Sequence, residues 1–262
     1  MSKLWQQLLL VPTVVRLTSK APRDPHTAWD RYWTGVRATG SDGDVLWDSD
    51  SAAEHAQYAR ILLDAFDPAL PVIDVGCGNG THTRWLAGLF PQVLGIDVSP
   101  GAVARAAHEA RKVPNADFLA VDATGEGAGA QLLDRLGPAN VFVRGVFHVL
   151  DPAHQAALAA NLRTLVAGQG QVFLAETNFP GSSLDYLTAL GASHHHVPRQ
   201  LERALQHLPR PGRFGGAERQ RAFPASEWEL RSEGPVNIEV VPMKPEGLPQ
   251  QVPGYFALLK GV

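Results

Sequence analysis

At 262 residues, with 45% apolar and 19% charged side chains, the chain can bury a sizeable core in one large domain with additions, which excludes a disordered or fibrous protein. A net charge of −3 and a pI near 6.4 supply no global basic field to hold a polyanion, so no nucleic-acid partner is expected. The lone cysteine, Cys77, excludes an intrachain disulfide framework and fits a reducing, cytoplasmic compartment.

The N-terminal stretch MSKLWQQLLLVPTVVRL carries an apolar run broken by Gln6, Gln7 and Pro12. It is too short to span a bilayer and lacks a small-residue cleavage site, so it reads as a short amphipathic helix and no membrane partner is expected. Leu4, Leu8 and Val11 share one face at helical spacing, and packing on the body, covering a site and joining a dimer are all open to that face. Residues 1–50 are read as a cap segment. Its aromatic residues Trp29, Tyr32, Trp33 and Trp47 suit either the wall of an apolar pocket or plain anchoring of the segment.

From residue 51 the periodicity switches repeatedly between short apolar runs and longer amphipathic stretches, the pattern of a parallel sheet covered by helices. In chain order the spacing predicts a helix at 52–66, a strand at 71–75, a helix at 81–89, a strand at 93–97 and a helix at 99–112. Ser99-Pro100 opens the last of these with a capping serine and a proline at the first helical position. Strands follow at 117–121 and 140–144, then a helix at 153–166 and a strand at 171–175. Residues 179–235 are longer than one crossing helix requires and read as a lid insertion with candidate helices at 182–192 and 198–208 and a turn, RPGRFGG. Strands at 236–241 and 255–259 close an α/β domain spanning 51–262.

The stretch VIDVGCGNG, residues 72–80, carries the functional signal. A strand ending at Val75, a tight turn and a helix starting near Thr81 place unpaired N–H groups and the positive end of a helix dipole beside a turn bare of side chains at Gly76, Gly78 and Gly80. That suits a nucleotide or an amino-acid carboxylate at the carboxyl edge of the sheet. Asp97 ends the second strand about twenty residues further on, where a carboxylate can accept from both ribose hydroxyls. Asp122 ends the third strand, positioned to meet the base. The dinucleotide pattern Gly-x-Gly-x-x-Gly fails here, because its third glycine position is Thr81.

Asp74 followed by Gly-x-Gly-x-Gly, with the two strand-end acids, resembles the class I S-adenosylmethionine-dependent methyltransferases over residues 55 to 178. The resemblance implies a Rossmann-like three-layer sandwich with a seven-stranded, mostly parallel sheet whose seventh strand is antiparallel between the fifth and sixth. The last two strands would be joined by a proline-rich hairpin connection, and FPASEWELRSEG would form a short capped helix ahead of them. It also implies S-adenosyl-L-methionine as cofactor. Asp74, Gly76, Cys77, Gly78 and Gly80 would hold its methionine end; the alternative to a catalytic role for His148 is that it packs against the cofactor, with Arg144 and Gly145 lining that end. Asp97 would take the ribose, Val98 the adenine ring and Asp122 the adenine amino group, with Ala123 offering a backbone contact.

Methyl transfer needs alignment of an acceptor and, for some acceptors, removal of a proton. His148, just past the fourth strand, sits where small-molecule O-methyltransferases of this family carry a basic histidine, although Val149 and Leu150 precede Asp151 where the family has an acid directly after it. Glu176, closing the fifth strand, is the second candidate for the acid or base. No metal is expected: a divalent site using Glu176 with Asp151 or Asn178 lacks an assignable third oxygen ligand, and His194, His195 and His196 are adjacent, diverge and have no partner cluster. His195 joins Trp29, Tyr32 and Trp33 as a candidate for the acceptor pocket. The expected function is methylation of a small-molecule acceptor at oxygen by a monomer or homodimer. N- or S-methylation on the same fold, an NAD(P)-dependent oxidoreductase and a catalytically idle scaffold are the alternatives.

Overall fold

The computed structural model describes residues 3–48, 51–241, 243 and 250–262. The chain runs through α1 (Lys3–Thr18), α2 (Pro25–Thr34), α3 (Ala52–Ala65), β1 (Val72–Val75), α4 (Thr81–Leu86), β2 (Val93–Asp97), α5 (Pro100–Glu109), β3 (Ala116–Ala120) and α6 (Ala128–Leu136). It continues with β4 (Asn140–Arg144), a 3-10 turn (Phe147–Val149), α7 (Pro152–Val166), β5 (Gln171–Thr177), α8 (Ser183–Ala189), α9 (Arg199–His207), α10 (Gly216–Ala222), β6 (Trp228–Val240) and β7 (Gln250–Gly261).

The seven strands lie in the order β3-β2-β1-β4-β5-β7-β6. β1 pairs in parallel with β2 and β4, β2 with β3 and β4 with β5, whereas β7 pairs antiparallel with β5 and sets Glu176 opposite Tyr255. The expected Rossmann-like sheet is thus present, with its seventh strand between the fifth and sixth.

Alternation along the strands divides the interior into two cores, one on each face. Ile73, Val75, Leu94, Ile96, Val141 and Val143 meet Leu158, Leu162 and Leu165 of α7 on one side. Val72, Val93, Phe142 and Phe173 meet Tyr58, Leu62 and Leu86 on the other. The helices start where local chemistry dictates. Ser99 accepts from the Ala102 N–H with Pro100 behind it, and Asp151 accepts from the His154 N–H ahead of Pro152.

The chain divides into two compact units. The first comprises Met1–Asp50, Phe179–Arg210 and Glu239–Val252, and the second Ser51–Asn178, Pro211–Ile238 and Pro253–Val262. In the first, α1, α8 and α9 share a core that includes Leu10, Leu46, Leu187, Leu190 and Leu201, and α2 packs on α9. The segment expected as one insertion, 179–235, is divided: residues 179–210 belong to the first unit, while those from Pro211 onward, α10 among them, belong to the second.

FPASEWELRSEG does not form the expected capped helix. Residues 225–227 are a turn, and β6 begins at Trp228. Trp228 is buried, Glu229 exposed, Leu230 half-buried and Arg231 exposed, the alternation of an edge strand with one face in the core. Local helix preference in this charged run yields to burial of Trp228 and Leu230. The proline-rich connection between the last strands falls largely outside the described residues, as does the side chain of Leu4.

Candidate active site

The turn after β1 is glycine-rich for two physical reasons. Gly76, Gly78 and Gly80 all have positive φ, at 73°, 55° and 77°, a conformation that L side chains resist. A Cβ on Gly76 would also lie 2.4 Å from Val146 Cγ2, and one on Gly80 2.8 Å from Phe118 Cε1. The chain's own packing therefore excludes side chains at two of the three positions, before any ligand is considered. The Gly76 and Cys77 N–H groups donate to the Ile96 carbonyl at 2.8 and 3.0 Å and tie the turn to β2.

Asp97, at the end of β2, is bound into this turn. Its Oδ2 accepts from the Gly78 N–H and its Oδ1 from the Ser99 N–H, both at 2.9 Å. Burial pushes its carboxyl up to about 6, against the pull of those two bonds. Asp74 is buried on the neighbouring strand, where Thr83 Oγ1 donates to Oδ2 at 2.6 Å. Burial, with the nearby Asp97 adding, pushes Asp74 up to about 7. Cys77 is buried, which raises its thiol well above the ordinary range. Val98 is half-buried beside Asp97. Asp122 Oδ1 accepts from the Thr124 N–H at 2.8 Å and its hydroxyl at 2.7 Å, and the Ala123 carbonyl accepts from Asn161 Nδ2 at 2.9 Å.

Arg144, at the end of β4, is engaged by a partner the sequence did not reveal. Its Nε and Nη2 donate to Glu54 Oε1 and Oε2 at 2.9 and 3.2 Å, a two-pronged pair with both side chains almost fully buried. Tyr58 donates to Glu54 Oε1 at 2.9 Å. Glu54 and Tyr58 sit one turn apart on the inner face of α3, a spacing visible in the sequence, but nothing local announces the partner ninety residues away. His82 stacks on Phe142 with its Nε2 3.9 Å from Glu54 Oε1, and burial holds its imidazole well below the ordinary value, so it is neutral.

The two candidates for the base form a single unit. Glu176 is fully buried and accepts from the backbone N–H groups of Val146 at 2.9 Å, Phe147 at 2.8 Å and His148 at 3.2 Å. Its Oε2 also lies 2.7 Å from His148 Nδ1. The carboxylate thus fixes the turn after β4 and one ring nitrogen of His148, leaving Nε2 at the far side of the ring. The Gly212 N–H holds the other side of this turn by donating to the His148 carbonyl at 2.7 Å.

The remaining sequence candidates belong to the first unit. Tyr32 and Trp33 are buried and Trp29 is half-buried, packed against one another and Trp47, with Tyr32 stacked on Trp47 at 5.2 Å. His195 is exposed, its ring centroid 3.6 Å from that of His194. Among the described residues no group of three His, Cys, Asp or Glu side chains is placed to hold a metal ion.

A sequence model described as a methyltransferase domain matches residues 72–170, the stretch from β1 to the end of α7. A crystal structure of a SAM-dependent methyltransferase from Anabaena variabilis is similar over 93% of this chain and 97% of its own, with 29% identity and a TM-score of 0.79. Residues 72–170 thus form a methyltransferase domain, within the fold of a SAM-dependent methyltransferase. Two further structures share the methyltransferase's fold. One, described by the conversion of a disulfide bond into a thioacetal group during echinomycin biosynthesis, is 21% identical over 82% of this chain and 84% of its own, with a TM-score of 0.63. The other, the N-methyltransferase NodS from Bradyrhizobium japonicum with S-adenosyl-L-homocysteine, is 13% identical over 81% and 87%, with a TM-score of 0.51. No curated protein matches the methyltransferase in sequence.

Its cofactor is S-adenosyl-L-methionine. The residues at the carboxyl edge fit a molecule with a sugar, a base and an amino-acid tail: carboxylates end or follow two neighbouring strands, and the turn between β1 and α4 is bare at three positions. The methyltransferase assignment sets aside the nicotinamide oxidoreductase and the idle scaffold.

Proposed function

We propose that this methyltransferase places a methyl group on an oxygen of a small-molecule acceptor, with His148 taking the acceptor's proton. The observation that carries this reading is the 2.7 Å contact between His148 Nδ1 and the buried Glu176. Glu176 already accepts from three backbone N–H groups and is bound as an ionised acceptor, so it is not itself the base. It requires a proton on Nδ1, which leaves the Nε2 lone pair to receive one. That division, an orienting carboxylate and a basic imidazole, is what deprotonation of a hydroxyl needs and what an acceptor that is already an anion or an unprotonated amine does not.

The bound cofactor supplies an electrophilic methyl group on a sulfonium. The chain's own residues bind and align. Asp97 accepts from the ribose hydroxyls while its bonds to Gly78 and Ser99 keep it aimed along the edge of the sheet. Val98 flanks the adenine, Asp122 and Ala123 mark its amino end, and Asp74 with the Gly76–Gly80 turn, Cys77 included, receives the methionine end. Arg144, held by Glu54, acts there as a fixed positive charge. Tyr32 and Trp33 are assigned to packing of the first unit, because their rings are buried against one another and Trp47. The lone, buried Cys77 suits a reducing cytoplasm.

Transfer from methyl-labelled S-adenosylmethionine to a panel of phenols, carboxylic acids, amines and thiols tests the reading. Label is expected on oxygen, and His148→Ala is expected to lose about 10²- to 10⁴-fold in turnover while binding S-adenosylhomocysteine as before. Label confined to amines, thiols or macromolecules, or full turnover in His148→Ala, contradicts it.

A further inference from the structure

We infer that the outward side of α1 docks on the surface of an anionic lipid bilayer, lying in the interface rather than crossing it. The inward side is accounted for within the first unit. Leu10 and Leu17 are buried, Leu10 and Val14 join the core with Leu187, Leu190 and Leu201, and Gln7 Nε2 donates to Asp185 Oδ1 at 2.9 Å. The outward side has the opposite of the polar face that a surface helix presents. Trp5 is 61% exposed, Leu8 52%, Leu9 45%, Val11 36% and Val15 53%, with Pro12 exposed among them. At 100° per residue these positions fill one continuous stripe. They are five of the seven large hydrophobic residues that stand exposed among the described residues.

Charge selects the occupant. Residues 1–23 contain Lys3, Arg16, Lys20 and Arg23 and no acidic residue, which leaves 19 basic against 26 acidic residues in the rest of the chain. Arg16, Lys20 and Arg23 are exposed at the C-terminal end of the stripe, and the exposed Arg210 reaches Thr18 Oγ1 at 3.4 Å beside them. An apolar stripe bearing a tryptophan and ending in cations matches acyl chains bordered by anionic headgroups. The helix is 16 residues long, about 24 Å, and no helix among the described residues is long and apolar enough to cross a membrane.

Co-sedimentation of the full chain with phosphatidylcholine vesicles, with and without phosphatidylglycerol, tests this, with size-exclusion light scattering in parallel. The protein is expected to sediment with the phosphatidylglycerol vesicles, less so as salt rises. Leu8→Gln/Val15→Gln is expected to weaken partitioning by about tenfold or more, and Arg16→Gln/Lys20→Gln to abolish the preference for anionic vesicles, both with unchanged S-adenosylhomocysteine binding. Failure to sediment, equal binding to neutral vesicles, or a stable dimer that Leu8→Gln/Val15→Gln splits would each overturn the inference, the last by showing that a second copy covers the stripe.

Discussion

Replacing Glu176 with glutamine preserves the side chain's shape while removing its charge, and the four donors around it make the consequence specific. The amide oxygen, placed where Oε1 now lies, can still accept from the Val146 and Phe147 N–H groups, as neutral bonds worth about 1 kcal/mol less apiece. The amide nitrogen then stands where Oε2 accepts from the His148 N–H, leaving that donor buried without an acceptor at about 1–3 kcal/mol. The total is a loss of about 3–5 kcal/mol in urea unfolding, within reach of a folded variant. The same amide nitrogen now donates to His148 Nδ1, so the ring must carry its proton on Nε2 and cannot receive another there. Glu176→Gln should therefore fold, bind S-adenosylhomocysteine, lose about 10²- to 10⁴-fold in turnover, and show the inverted His148 tautomer in nitrogen-15 spectra. Wild-type turnover with an inverted tautomer would refute the assignment of Nε2. A stability loss under about 1 kcal/mol would refute the bonding that places it.

Three further perturbations test the structural side. Gly80→Ala puts a Cβ 2.8 Å from Phe118 Cε1 on a residue at φ 77° and should cost about 2–4 kcal/mol in urea unfolding; a neutral result would mean that the turn is not held as described. Arg144→Met leaves Glu54 buried and uncompensated, at about 3–5 kcal/mol, and adding Glu54→Leu should restore most of that loss, whereas equal losses in the single and double variants would contradict the pairing. Asp74, raised to about 7 in the fold, stays protonated there while the unfolded chain ionises, so its contribution to stability is fullest below about pH 4 and is lost as pH rises toward 7. Asp74→Asn, which keeps an acceptor for Thr83, should therefore gain on the wild type by about 2–3 kcal/mol between pH 5 and pH 8, and a constant difference would show that Asp74 is ionised throughout.

Where a residue's fate was set by its neighbours along the chain, the sequence could be read. The runs that became β1, β2, β4 and β5 are apolar because both faces are covered, and Ser99-Pro100 and Asp151-Pro152 mark helix starts by chemistry confined to one turn. β6 was legible only in its second half, because at the edge of the sheet Trp228 to Glu233 alternates with charge and local preference points to helix. The glycines announced a turn, but Val146 and Phe118, which exclude side chains there, come from elsewhere in the sequence. His148 and Glu176 could each be singled out as following or closing a strand. That they are one pair depends on β4 and β5 lying side by side. Arg144 could likewise be singled out as closing β4, but its partner Glu54, with Tyr58 beside it, is brought to it by α3 from ninety residues away.

Calorimetric titration of S-adenosylhomocysteine into the wild type and Asp97→Ala addresses the central claim, that a nucleoside cofactor is gripped through its sugar at the end of β2. The wild type should bind, with affinity falling about tenfold from pH 7 to pH 5 as a carboxyl near 6 takes up its proton, and Asp97→Ala should bind at least about a hundredfold more weakly. Undiminished affinity in Asp97→Ala, or a wild type that takes up a nicotinamide dinucleotide and ignores S-adenosylhomocysteine, would contradict the account.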